Sequence, residues 1–213
     1  TFCSIFYNQV HIPGSLNNFA HVNTYTPGQF SDVKASDWFS NDVAMAYELG
    51  LMKGARESDF NATGNLTIAE SITLAARIHS IYMNDSESFT QGSPWYRVYI
   101  DYALNNGIIK NEYSDYNKTA TRKEIANIFV SALPISALAI INDVDAGMIP
   151  DVPIDLNESN SIYMLYRAGI LTGSDAIGTF YPNTNIGRNA AAAIVSRMTN
   201  ESFRKSIKLV RVV

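Results

Sequence analysis

The residues with the clearest capacity for chemistry are two arginines, Arg122 in the stretch Thr121-Arg122-Lys123-Glu124 and Arg188 in Gly187-Arg188-Asn189-Ala190. A planar guanidinium presents a fork of donors that matches a carboxylate. Both arginines stand where a helix is predicted to begin, and a cation in a first turn opposes the helix dipole at a cost of about 0.3–1 kcal/mol unless an anion lies nearby. Free amides at the helix start would supply further donors to that anion. The chemistry favoured is recognition of an acidic group, with an internal ion pair to a neighbouring Asp or Glu as the competing reading. Thr121 and Glu124 are also candidates, although a capping box, in which Thr121 caps the helix and Glu124 reaches back to the cap amide, explains them structurally. Trp38, Trp95 and Tyr96 could lie against the apolar face of a sugar ring or serve in an ordinary core.

Carboxylates are plentiful: Asp32, Asp37, Asp42, Asp143, Asp145, Asp151 and Asp155. Many glycosidases work with a pair of such acids. Helix capping and turn formation explain these ones better, and no nucleophile elbow, phosphate loop or metal motif accompanies them. The chain is therefore expected to have no catalytic residues, no cofactor and no metal site, and not to be an enzyme. His11, His21 and His79 lack the spacing of a metal-binding helix, and Cys3 is the sole cysteine, so no intrachain disulfide can form. With 16 basic and 20 acidic residues the net charge is -4, which argues against nucleic acid as a partner. No apolar run approaches the roughly 20 residues of a membrane span, the stretch 132–141 being interrupted by Pro134. Residues 1–29 lack a basic segment followed by an apolar core, so an intact signal peptide is not expected there.

The candidate residues must be positioned by something larger, and internal repetition shows what it is. The segments 50–54 (GLMKG), 107–111 (GIIKN) and 169–173 (GILTG) superimpose, each following a helix-like stretch at 43–49, 98–104 or 162–168. Each segment ends in Gly or Asn, residues that tolerate positive φ at a helix end. Beyond each turn lies a loop, then a second helix opened by Thr67-Ile68-Ala69-Glu70, Thr121–Glu124 or Gly187–Ala190. With Glu70, Glu124 and Ala190 aligned, the residues four, five and eight later are Leu74, Ala75 and Ile78; Ile128, Phe129 and Ala132; Ile194, Val195 and Met198. All nine are apolar, at the spacing of one helical face. Phe60 and Phe180 each precede their second-helix start by seven residues, and Asp32-Val33 and Asp151-Val152 occupy equivalent lead-ins. One helix pair cannot bury such a stripe. The expected fold is all-α, a pseudo-threefold trimer of helix-loop-helix repeats around a central three-helix bundle. The expected divisions are an N-terminal extension at 1–29, repeats at 30–83, 93–133 and 142–198, and a C-terminal tail at 199–213.

The Phe-x-Asp-Val-like lead-in, the glycine turn and the Thr-Arg-x-Glu helix start, in that order three times over residues 30 to 198, resemble the surface-layer homology domain, abbreviated SLH. The resemblance implies a non-catalytic anchor at the bacterial cell wall or surface layer, hence extracellular. Its partner would be secondary cell-wall polysaccharide, often bearing a pyruvylated amino sugar, with other surface-layer proteins as further partners. It raises Arg122 and Arg188 as ligand contacts, with Gly54 and Gly173 bringing turn amides close to the ligand, although a helix-terminating role also accounts for those glycines. Departures are visible: Ile68 replaces the arginine in the first copy, and the third begins with Gly187 and has Ala190 in place of the acid. The second copy, with the complete Thr-Arg-x-Glu form, is the strongest candidate site. The alternative function is a protein-interaction or self-assembly scaffold with its arginines in internal salt bridges.

Overall fold

A computed structural model describes residues 14–153 and 159–209; Cys3, His11 and Asp155 lie outside the described residues. These contain the helices α1 (Ser40–Glu48), α2 (Ile68–Asn84), α3 (Arg97–Asn105), α4 (Arg122–Val130), α5 (Ser159–Arg167) and α6 (Arg188–Thr199), with short 3-10 turns and no strand. The all-α class is as expected. In chain order the second helix of each consecutive pair is longer in the first and third pairs, 17 and 12 residues against nine, and equal at nine in the second. The local chemistry explains where the helices start and stop. Thr67 and Thr121 each accept the amide of the glutamate three residues on, whose carboxylate in turn accepts the cap amide, so α2 and α4 open with full capping boxes. At α6, Gly187 contributes no side-chain cap. Helices α1, α3 and α5 end just before Gly50, Gly107 and Gly169, at φ of +70, +70 and +69°. The helix terminators are thus the first residues of the three superimposable segments, not the last.

Three residues just ahead of α2, α4 and α6 are tied in a closed cycle. Leu66 donates its amide to the Ile186 carbonyl, Ile186 to Ala120 and Ala120 to Leu66. All three side chains are buried. The first helical amides continue the cycle: Ile68 and Ala69 donate to the Lys118 and Tyr116 carbonyls, Arg122 and Lys123 to Thr184 and Pro182, Arg188 and Asn189 to Gly64 and Ala62. The first two amides of α2, α4 and α6 are therefore each satisfied by a loop distant in sequence. This corrects the expectation that helix-terminal amides stand free for a ligand. The helices follow the same order, α2 packing on α3, α4 on α5 and α6 on α1, with α2 also against α4. The nine stripe residues are all buried and belong to one continuous apolar core.

Segments flanking the helices pack on this frame. The amides of Val22 and Asn23 donate to the Glu48 carbonyl, as those of Ile141 and Asn142 donate to Arg167. The Asn23 and Asn142 side-chain amides repeat the match by donating to the Tyr47 and Tyr166 carbonyls. At the other end, Lys205 donates its amide to Gly169, and the Asn142 side chain bridges to Lys205 and Ile207. No helix among the described residues is long and apolar enough to cross a membrane.

Candidate functional site

Two grooves of the same construction lie on the surface, and each draws on three separate parts of the chain. One, of about 610 Å³, is walled by the 50–54 turn and α2, with Arg188 and Trp95 also lining it. The second, of about 410 Å³, is walled by the 169–173 turn and α6, with Arg122 and Trp38 also lining it. Trp38 is 64% exposed and Trp95 47%, which excludes the ordinary core role for both. Both volumes suit one or two sugar rings.

The arginines are held alike. Arg122 donates through Nε to the Phe180 carbonyl at 2.6 Å, and its guanidinium lies over the Phe180 ring, 5.0 Å from the centroid. Arg188 donates through Nε to the Phe60 carbonyl at 2.9 Å and through Nη2 to Lys53, with the Phe60 ring 4.9 Å away. Neither makes an ion pair among the described residues, so the competing reading of an internal salt bridge does not describe these side chains. Burial lowers both pKa values, opposed by the fields of Tyr166 and Asp151 at Arg122 and of Glu70, Asp32 and Asp59 at Arg188. A guanidinium remains charged under such shifts. Each groove therefore holds a stacked, pre-oriented cation. The loops supplying the carbonyls are themselves fastened: Asp32 accepts the amides of Phe60 and Ala62 at 2.8 and 2.7 Å, and Asp151 those of Phe180 and Tyr181. The lead-in aspartates thus clamp the arginine's platform, a role that capping and turn formation did not convey.

Among the described residues, the amides of Lys53 and Gly54 in one groove, and of Thr172 and Gly173 in the other, find no acceptor. They are the free donors in place of the helix-terminal amides. A Cβ on Gly54 would meet the Arg56 carbonyl at 2.4 Å, and one on Gly173 would meet the Gly178 backbone at 2.5 Å, so close packing also requires glycine at both positions.

Residues 29–70 match the S-layer homology domain family. Over that segment the chain is similar to the S-layer homology domain. A surface-layer 125 kDa protein of Lysinibacillus sphaericus is 29% identical over 110 residues, 47% of this chain and 9% of that protein. An exoglucanase XynX of Acetivibrio thermocellus is 29% identical over 121 residues, and an amylopullulanase of Thermoanaerobacterium thermosulfurigenes 30% identical over 126. These matches cover about half of this chain, but only 11% and 6% of the respective enzymes. The S-layer homology domain is a non-catalytic anchoring unit.

Within the matched segment stand the Asp32 clamp, α1, the 50–54 turn and the Thr67 capping box. The groove arginines fall outside it. Of the other sequence candidates, Thr121 and Glu124 are occupied in the capping box, and Glu124 also pairs with Lys118 at 2.6 Å. Burial alone would raise the Glu124 pKa; Lys118 and Thr121 outweigh it and lower the value. Tyr96 packs against the core and the rings of Trp95 and Tyr116 instead of lining either groove.

A third groove follows the 107–111 turn and is lined by Tyr113, Asn127 and Ser131. By the cyclic hydrogen bonding its arginine would come from the position of Ile68, which is fully buried. Arg122, though it belongs to the second helix pair, faces the 169–173 turn. The complete Thr-Arg-x-Glu form therefore does not mark a groove beside its own turn. Sequence reasoning also passed over Arg77 and Arg197, which line the two tryptophan grooves; their signal was a shared position seven residues beyond Glu70 and Ala190.

Proposed function

We propose that this chain is a non-catalytic cell-wall anchoring module that binds secondary cell-wall polysaccharide at the bacterial surface, through an acidic substituent such as a pyruvylated amino sugar. In this reading it comprises three S-layer homology units at 30–83, 93–133 and 142–198, the first with a lead-in from Val22, arranged as a pseudo-trimer around the cycle of Leu66, Ala120 and Ile186. The closed hydrogen-bond cycle and the matching lead-in contacts support that division.

The single observation that carries the binding reading is the pair of stacked guanidinia with no ion-pair partner among the described residues, each in a sugar-sized groove beside an exposed tryptophan. The guanidinium takes the carboxylate, the free turn amides add donors, and the indole face covers the apolar side of the ring. Binding between units explains why a module would carry repeats: no single helix pair contains a whole groove. A scaffold with Arg122 and Arg188 in internal salt bridges has no corresponding observation among the described residues. Other surface-layer proteins remain further partners in this reading.

The test is co-sedimentation with purified cell-wall sacculi before and after the non-peptidoglycan polymer is stripped. Binding to intact sacculi that is lost on stripping is expected. Binding that survives stripping, or none to intact sacculi, overturns the proposal.

A further inference from the structure

The two tryptophan grooves differ in their second arginine. Arg77 and Arg197 occupy equivalent positions and reach toward equivalent turns, Arg77 donating to the Gly50 and Leu51 carbonyls at 2.9 Å and Arg197 to the Ile170 carbonyl at 2.9 Å. In the first groove this charge is cancelled, because Glu87 accepts from Arg77 Nε at 2.6 Å and Nη2 at 2.8 Å in a bidentate pair. In the other groove Arg197 has no carboxylate within ion-pair distance among the described residues. It is only 8% exposed, its Nε is buried without an acceptor, and its Nη2 has no acceptor among those residues either. Burial lowers its pKa, opposed by the field of Asp42, itself buried and bonded by the Ser196 hydroxyl. A buried cation left with one carbonyl is costly unless a ligand completes it.

We infer that the groove at the 169–173 turn is a two-arginine site, Arg122 and Arg197, selective for a glycan segment carrying two negative charges, whereas the groove at the 50–54 turn accepts one. The inference rests on the anchoring reading and adds to it a ranking of the grooves by charge. Glu87 is the specificity-determining residue. It makes the first groove a single-arginine site by occupying the guanidinium that its counterpart leaves open, while Lys53 and Glu70, which also line that groove, offset each other in charge.

The experiment is calorimetric titration with two synthetic amino-sugar disaccharides, bearing one or two pyruvate ketals. The wild type is expected to bind the doubly acidic probe at one site about tenfold tighter than the singly acidic probe, the gain from one more charge-assisted contact. Arg197→Gln should abolish that preference with little change for the singly acidic probe. Glu87→Gln should raise the number of tight sites for the doubly acidic probe from one to two; because it alters an ion pair beside α2 and leaves the core intact, it tests the inference even if the Arg197 variant fails to fold. Equal affinity for both probes, or a Glu87 variant that still shows one tight site, overturns the two-arginine assignment while leaving anchoring intact. Failure to bind either probe overturns both.

Discussion

Replacing Arg122 with lysine keeps the charge and removes the fork. In the native groove one guanidinium does three things together: it donates Nε to the Phe180 carbonyl at 2.6 Å, stacks 5.0 Å from the Phe180 ring, and leaves its outer edge toward the groove. An ammonium can satisfy the carbonyl or a ligand, not both from a fixed plane. The charged hydrogen bond contributes about 1.5–3 kcal/mol and the stacked cation about 0.5–2 kcal/mol, of which lysine recovers roughly half. A loss of about 1–2 kcal/mol follows, or a fall in Tm of about 2–8 °C for a chain of this size. Binding to sacculi should weaken about tenfold, measured by co-sedimentation at fixed ionic strength, with melting followed in parallel by circular dichroism. Alanine is the poorer probe, because it leaves the Phe180 carbonyl without its donor and lowers stability as well as binding. If Arg122→Lys melts earlier but binds with unchanged affinity, the guanidinium only fastens the 180 loop, and the reasoning that places it in the ligand site is refuted.

Asp32→Ala should lower Tm by about 5–15 °C, since two backbone amides lose their acceptor at about 2–4 kcal/mol in all. Burial pushes the Asp32 pKa up, but the Ala62 and Phe60 amides outweigh it and hold it below the usual carboxylate range. Its stabilising contribution is therefore complete above the unfolded pKa near about 3.9 and lost as pH falls through the lower folded value. The gap in Tm between wild type and Asp32→Asn should accordingly shrink in melting curves taken below about pH 4. Trp38→Ala, at a site 64% exposed, should shift stability by less than about 0.5 kcal/mol yet weaken sacculus binding roughly three- to tenfold. Thr121→Ala should do the opposite, costing about 1 kcal/mol through the lost cap while leaving affinity unchanged, as read by denaturant melts and co-sedimentation.

Much of the fold was legible because it depends on local physics. Gly50, Gly107 and Gly169 announce helix ends through the backbone conformation they permit, and Thr67 and Thr121 announce helix starts through reciprocal hydrogen bonds three residues apart. The nine apolar positions, read at helical spacing, identified buried residues without error. The arginines were found as well, as an electrostatic oddity at a helix start. The orphan amides were misread: in isolation such a helix start has free donors, but here they are taken by carbonyls of another loop.

The chain by itself determined the elements, their caps, the apolar stripe and the chemical inequality of Ile68, Arg122 and Arg188. Only the tertiary structure decided which groove each arginine serves. Arg188 reaches a carbonyl 128 positions away and Arg122 one 58 away, while the indoles that complete their grooves come from still other segments. Spacing along a helix encodes neighbours three and four residues apart; the partner across a closed cycle is chosen by how three helix pairs pack. That choice moved Arg122 away from its own turn. Among the described residues it also left Arg197 without the carboxylate that Glu87 gives Arg77, a difference between two otherwise equivalent residues that no local pattern carries.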